Sequence, residues 1–254
     1  MQKNTNNNFI IPVLIASLIP IINFLLVFFY LPETKPKNDS NKSKAILRNP
    51  LKELFTVFKE EKIKKLSLAF FIYFVAFTGL TNILIFFLQE SLNWTTKASS
   101  GTLVVVGIIA IIVQGGLIGP LVKKFGEMRL TLIGSGFILV ACSLLITAPK
   151  ENATINIYSA VSFLAIGAGL ITPTLRALIS KKLDVNKQGS ILSNLQGLQS
   201  LGGVLGIAMA GRVYDSFGPK SPFIAGSIIL IFMIYLIAEG KNNKSIYDQK
   251  TNLF

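Results

Sequence analysis

Side chains able to do covalent or metal chemistry are scarce in this chain, and their placement restricts them further. It has no His, so the commonest general base and metal ligand is missing. Its one Cys, Cys142, sits in an apolar run with no second thiol and no ligand cluster to join. The twelve acidic residues fall in loops or at the ends of apolar stretches, with Glu90 and Glu239 nearest the interior. Paired carboxylates, a nucleophile–base pair and a metal cluster therefore have no place to form, and neither an enzyme nor a cofactor or metal is expected. What remains is uncharged polarity inside apolar stretches: Thr78, Thr81 and Asn82, then Gln114, then Ser193, Gln196, Gln199 and Ser200.

Amides and hydroxyls bind by hydrogen bonds and are costly against hydrocarbon, so these residues must face a bundle interior or a wet cavity. Thr78, Asn82, Gln114, Ser193, Gln196, Gln199 and Ser200 are accordingly the substrate-cavity candidates, and Ser193, Gln196 and Ser200 share one helical face. For any one of them taken singly, an ordinary interhelical hydrogen bond is favoured over contact with a ligand. Arg176, just past Pro173 near the end of its stretch, reads first as an anchor whose guanidinium snorkels to the interface and only second as a substrate ligand. Phe70, Phe71, Phe74 and Phe77 read as a packing or lipid-facing stripe.

The elements that must hold these residues follow from hydropathy. Half the chain is hydrophobic (51%) despite a formal charge of +13, a combination that fits lipid as the solvent. Crossing about 30 Å of hydrocarbon takes about 20 helical residues. Apolar windows place spans at 9–31, 66–88, 100–122, 129–149, 155–179, 190–213 and 221–239. The fold class is all-α integral membrane protein with about seven spans. The sixth is the most polar, and belongs against other helices or a cavity. The first, with Pro12, Pro20 and no small-residue cleavage site, is read as a span and not a removable signal.

Charge sets the direction. Alternate loops 32–65, 123–129, 176–189 and the tail from 240 carry 20 of the 25 Lys and Arg residues. Such a distribution is a topology signal and not a nucleic-acid face, so no nucleic-acid partner is expected. By the positive-inside rule the rich side is cytoplasmic, with the carboxy terminus inside and Met1 outside. An outside amino terminus is the arrangement expected if an odd number of spans once preceded it. The organisation is then a first span (1–31), a cytoplasmic basic linker (32–65), a six-span bundle (66–239) and a cytoplasmic tail (240–254). Within the linker, Asn49 and Pro50 suit a helix start, and Leu51, Leu54, Phe55 and Phe58 form the apolar face of a basic amphipathic helix.

Spans two to four and five to seven form two triplets. Gly119-Pro-Leu-Val-Lys-Lys-Phe125-Gly126 aligns without gaps to Gly211-Arg-Val-Tyr-Asp-Ser-Phe217-Gly218, with Gly, Phe and Gly at the same offsets. Three spans separate the two segments, so they face opposite sides, the pattern of an inverted repeat. Gly115, Gly119, Gly167, Gly169, Gly202, Gly206 and Gly211 are expected at close helix contacts.

At Gln114-Gly-Gly-Leu-Ile-Gly119-Pro-Leu-Val-Lys123-Lys124-Phe-Gly126-Glu-Met-Arg129 the sequence resembles the loop between helices eight and nine of major facilitator superfamily drug/proton antiporters, most of all the tetracycline-efflux branch. Gly119, Lys124, Gly126 and Arg129 fit that motif, while Lys123 stands where it has an acid and Glu127 and Met128 where it has bases. Gly167-Ala-Gly169-Leu-Ile-Thr-Pro173-Thr-Leu-Arg-Ala-Leu is similar to helix ten, and Gln188-Gly189 with Gln196-Gly-Leu-Gln-Ser200-Leu-Gly-Gly to helix eleven. Pro32-Glu33-Thr34 resembles the close of helix six.

The resemblance implies that 1–31 is the equivalent of helix six and 66–239 the carboxy-terminal six-helix bundle. It implies a secondary active transporter exporting small molecules or drugs from a multi-pass position in a membrane, of the bacterial inner membrane type, working with an amino-terminal half that this chain lacks. The partners implied are the lipid bilayer, that half and a small-molecule substrate. The coupling acids of the family usually lie in its first bundle, so this polypeptide alone is not expected to couple transport to protons. A non-transporting scaffold or regulatory subunit, or a decayed transporter remnant, is the alternative.

Overall fold

The computed structural model describes residues 10–30, 54–149 and 153–251, and among them every regular element is a helix. Seven are long: α1 (Ile10–Tyr30), α2 (Lys64–Ser91), α3 (Thr96–Phe125), α4 (Glu127–Ile146), α5 (Thr154–Ser180), α6 (Val185–Phe217) and α7 (Ser221–Thr251). All but α6 are long and apolar enough to cross a membrane. The sixth span, expected at 190–213, is a helix of 33 residues whose Gln, Ser, Asn and Gly residues dilute its apolar character. Beyond the span, which ends at Glu239, α7 continues as helix to Thr251 through the segment read as the tail.

The chain divides into two compact units, 1–48 and 49–254. In the first, α1 is apolar on every side, with Pro20 inside it and Phe24, Phe28 and Phe29 all largely exposed. The Pro32-Glu33-Thr34 segment and the linker to residue 53 lie outside the described residues. Of the expected amphipathic helix, the described part is a short 3-10 turn, Phe55–Phe58, with Val57 buried and Phe55 half exposed.

The second unit packs as the repeat requires. The contact of α4 with α5 has its counterpart in α7 with α2, and that of α3 with α5 in α6 with α2. Lipid is as apolar as Leu, so burial alone does little to join these helices, and close approach must be made by small residues. At the α2–α6 crossing a Cβ on Gly206 would lie 2.2 Å from the Val75 carbonyl oxygen, and one on Gly79 2.8 Å from that of Gly206. At the α4–α5 crossing a Cβ on Gly167 would lie 2.6 Å from the Gly134 oxygen. The repeat extends to single contacts: Gly134 faces Ile171 Cγ1 at 2.8 Å from its would-be Cβ, and Gly226, its match in α7, faces Leu80 Cδ2 at 2.7 Å. Gly169 lies against Val113 and Gly202 against Phe71 and Phe74. The same role expected for Gly115, Gly119 and Gly211 is not found, since a Cβ on any of them would meet nothing within 4 Å.

The aligned loop glycines are also structurally alike. Gly126 and Gly218 have φ of 75° and 91°, and each closes a helix by donating its N–H at 2.9 Å, to Val122 and to Tyr214 respectively. Their ψ values of 158° and 173° put both in the positive-φ, extended-ψ region that a residue without Cβ permits.

Loops and helix ends fasten the bundle at its two ends. At one, Lys181 pairs with Glu127 and Lys65 with Glu239 at 2.7 Å. At the other, the Tyr214 hydroxyl donates to Glu90 at 2.8 Å and Lys220 Nζ to the Ala148 carbonyl at 3.3 Å. Outward faces stay apolar, as with Leu103, Val104, Ile111, Val204 and Ile228, the distribution expected of lipid-facing surface.

Candidate functional site

The polar centre of the bundle is built on α5 at Thr172-Pro173-Thr174-Leu175-Arg176. Pro173 has no N–H for the Gly169 carbonyl, which opens the helix ladder there. Around that break, alternate side chains reach three different helices. Thr172 shares a hydrogen bond with the Tyr73 hydroxyl of α2 at 3.3 Å. Thr174 meets Thr131 of α4 at 2.8 Å, both buried. Arg176 reaches α6, donating from Nη2 to Gln196 Oε1 at 2.8 Å and to Gln199 Oε1 at 2.5 Å.

Arg176 is not a snorkelling anchor. Its guanidinium lies over the fully buried Phe70 ring, 6.0 Å from the centroid, and its Nε is buried without a hydrogen-bond partner. The ends of α5 and α6 nearest the short loop at 181–184 converge, so the side chain can satisfy itself inward, on α6 and α2, without reaching the bundle end. Phe70 and Phe74 pack in the core, and Tyr73 stacks on Phe77 with centroids 5.5 Å apart. The phenylalanine stripe is thus mainly packing, with Phe70 doubling as the floor beneath the cation.

The remaining candidates divide. Ser200 donates to its own helix at the Gln196 carbonyl, 3.2 Å, and lies exposed beside the amide pair. Ser193 lies exposed on α6 one turn before Gln196. Thr78 touches α6 opposite Gly203, and Asn82 donates back to the Thr78 carbonyl at 2.9 Å. Asn82 is thus spent within α2, and both residues lie two to three turns from Phe70. Gln114 sits on α3 in a π-helical stretch, Ile111–Leu117, with its Cγ 3.8 Å from where a Cβ on Gly169 would be. Among the described residues no contact brings it to the Arg176 cluster. π-Helical turns recur at functional positions, and this one contains Gly115 and Gly116. A small apolar cleft of about 40 Å³ between α2, α6 and α7 is lined by Gly79, Leu80, Gly206, Met209 and Gly226, too small for a drug-sized molecule.

In the motif loop, Gly126 makes the positive-φ turn, and Lys124 and Arg129 are exposed, with Lys124 over the Phe125 ring at 5.3 Å. Glu127 is engaged with Lys181 from the end of α5, which joins this loop to the helix that bears Arg176. Reading the sequence missed the inward role of Arg176. The available signal was an arginine one helical turn inside an apolar stretch, opposed across a short loop by two glutamines three residues apart.

Comparison with known proteins agrees with this architecture. The chain is 27% identical over 213 residues to the class D tetracycline resistance protein of Salmonella ordonez, covering 81% of this chain and 50% of that protein. It is 24% identical to the class H tetracycline resistance protein of Pasteurella multocida (80% and 50%) and 24% identical to multidrug resistance protein 2 of Bacillus subtilis (70% and 44%). The chain thus spans about half the length of the curated relatives it matches. The crystal structure of the human organic anion transporter MFSD10 (TETRAN) superposes with a TM-score of 0.71 at 21% identity, over 87% of this chain and 55% of that one, a likeness of fold. The sequence profile of the Major Facilitator Superfamily matches residues 5–207, and on that match, with the paired helix triplets, this chain belongs to the Major Facilitator Superfamily.

Proposed function

We propose that the chain is the carboxy-terminal bundle of a secondary active efflux transporter for small molecules, working with a complementary amino-terminal bundle across a shared cavity. The observation that carries this reading is the polar cluster Arg176–Gln196–Gln199 held between three helices of an otherwise apolar bundle. A charged side chain so placed is costly to keep in a membrane protein unless it serves a pathway. The paired triplets support rocking of one bundle against another, since each crossing is a backbone contact that can move as a rigid body. Relatives named for tetracycline and multidrug resistance favour export over uptake. On this reading the Lys-rich end faces the cytoplasm with the carboxy terminus inside, and the bacterial resistance relatives favour a bacterial inner membrane.

On this reading α1 is the equivalent of helix six, and Gln196, Gln199, Ser193 and Ser200 line the α6 side of the cavity, with Thr78, Asn82 and Gln114 on α2 and α3. Gly119, Lys124, Gly126 and Arg129 form the cytoplasmic loop at which the bundle pivots. The test is co-expression with the product of any neighbouring reading frame encoding the first five helices of the amino-terminal bundle, followed by co-purification and export of tetracycline and fluorescein from loaded cells. The pair is expected to co-purify and export, and the chain alone to export neither. Export by the chain alone would overturn the requirement for a second bundle, and a stable pair that exports nothing would favour a scaffold.

A further inference from the structure

Resting on that reading, we propose that Arg176, Gln196 and Gln199, floored by the Phe70 ring, form a subsite for the carboxylate or other oxyanionic group of an organic anion, so that the transported class is anionic.

Among the described residues Lys64 pairs with Glu61, Lys65 with Glu239 and Lys181 with Glu127, while no acid pairs with Arg176. Its charge is met only by two amide oxygens and an aromatic face, both neutral. A guanidinium has five N–H donors in a planar fork suited to an oxyanion. Here Nη2 is taken by the two glutamines while Nε, buried, has no partner.

The amides act in the same sense. With each Oε1 turned to Arg176, each Nε2 is left with its N–H donors unused among the described residues. The N–H groups left over at Arg176 Nε and at the two Nε2 atoms are donors, which a carboxylate satisfies directly. The cluster is also open. Arg176 is only partly buried, and Gln196 and Ser200 are exposed on the same face of α6. The exposed Lys123 and Lys124 stand at the end of the bundle nearest Arg176 and raise the local concentration of anions there. A purely structural arginine would be expected to pair with one of the acids at that end. Glu127 and Glu239 are instead committed to lysines.

The experiment uses the full chain in nanodiscs of phosphatidylcholine, with two dyes sharing a xanthene body: anionic fluorescein and cationic rhodamine 6G. Fluorescence anisotropy should show saturable fluorescein binding that weakens tenfold or more in Arg176→Gln and about threefold in Arg176→Lys, which keeps the charge but loses the fork. Rhodamine 6G binding should be indifferent to both substitutions. Circular dichroism and thermal unfolding establish that each variant is folded. Should Arg176→Gln fail to fold, Gln199→Leu gives the second reading, with an expected threefold to fivefold loss. Fluorescein binding that is absent, or unchanged in folded Arg176→Gln, overturns the subsite. So does an Arg176 dependence confined to discs doped with phosphatidylglycerol, which would assign the cluster to a lipid phosphate. The two readings fail separately. Export of a neutral drug by the paired bundles with no effect of Arg176→Gln leaves the transporter and removes the subsite, whereas Arg176-dependent fluorescein binding with no export by any pair does the reverse.

Discussion

The triplets α2–α4 and α5–α7 use the same backbone frame for different side chains. Gly134 lies against Ile171 as Gly226 lies against Leu80, and Gly126 and Gly218 close their helices with the same positive-φ turn. Five residues beyond Ile171 is Arg176, and five beyond Leu80 is Ile85. Counted without gaps from the Gly126/Gly218 pair, Gln196 and Gln199 of α6 correspond to Val104 and Gly107 of α3. The π-helical stretch of α3 has no counterpart in α6, which is uninterrupted α-helix. The frame is set where backbones touch, and there a side chain has no room to vary. Chemistry is placed where they do not touch, and there the two triplets have diverged.

The frame is most sharply tested at its crossings. Gly206→Val places a Cβ 2.2 Å from the Val75 oxygen, and Gly167→Val places one 2.6 Å from the Gly134 oxygen. Each clash is with backbone that cannot rotate away, so each should cost about 3 kcal/mol or prevent folding outright. Gly115→Ala and Gly211→Ala, with nothing within 4 Å, should stay within about 0.5 kcal/mol of the parent. Reversible unfolding in mixed micelles measures all four. A crossing that accepts Val with no loss would break the equivalence of the two triplets.

A smaller effect sharpens the same comparison. Gly126→Ala and Gly218→Ala force a side chain into φ of 75° and 91°, and each should destabilise by about 1 kcal/mol. The informative quantity is the difference between them, expected to be close to zero. At Thr131 and Thr174 the buried hydroxyl pair at 2.8 Å should show a coupling of about 0.6 kcal/mol in a double-mutant cycle through Thr131→Val and Thr174→Val. Each hydroxyl also bonds its own helix, Thr174 to Leu170 and Thr131 to Glu127, which limits what the pair adds.

Much of the frame was legible in the sequence because hydropathy and glycine spacing are local signals. Seven helices fell where seven apolar windows were, and the Gly-Phe-Gly register of two loops carried the repeat. Which glycines touch a neighbour was not legible. Gly115 and Gly167 look alike in sequence, and only the α4–α5 crossing separates them. The same holds for the site. Gln196 and Gln199 stand out as amides in an apolar helix, but Arg176 looks like a topology anchor until the rotation of α5 against α6 is known. Side chains that must find partners on another helix depend on that rotation. Thr78 and Asn82 depended on it too: the Thr78 side chain lies against Gly203 of α6, whereas Asn82 found its partner on its own helix.

The ion pairs give the smallest effect and the finest distinction between frame and decoration. Glu127–Lys181 joins α4 to α5, and Lys65–Glu239 joins α2 to α7, the two helix contacts that the repeat equates. An inverted repeat would put equivalent pairs at opposite ends of the bundle, but both stand at the Lys-rich end, so they were added to the frame independently. Exposure limits them: the Lys181 side chain is 67% accessible, and those of Lys65 and Glu239 are 44% and 43%. Pairs of that kind are worth about 0.5 kcal/mol or less and are screened by salt. Glu127, at 15%, is the least accessible of the four groups, so its pair should survive salt better. Double-mutant cycles through Glu127→Gln with Lys181→Gln and Lys65→Gln with Glu239→Gln, at low and high salt, should give small couplings in both, with the larger fraction retained at Glu127. Equal and salt-insensitive couplings would mean that both pairs are parts of the frame, and the separation between the two triplets' shared backbone and their independent side chains would have to be redrawn.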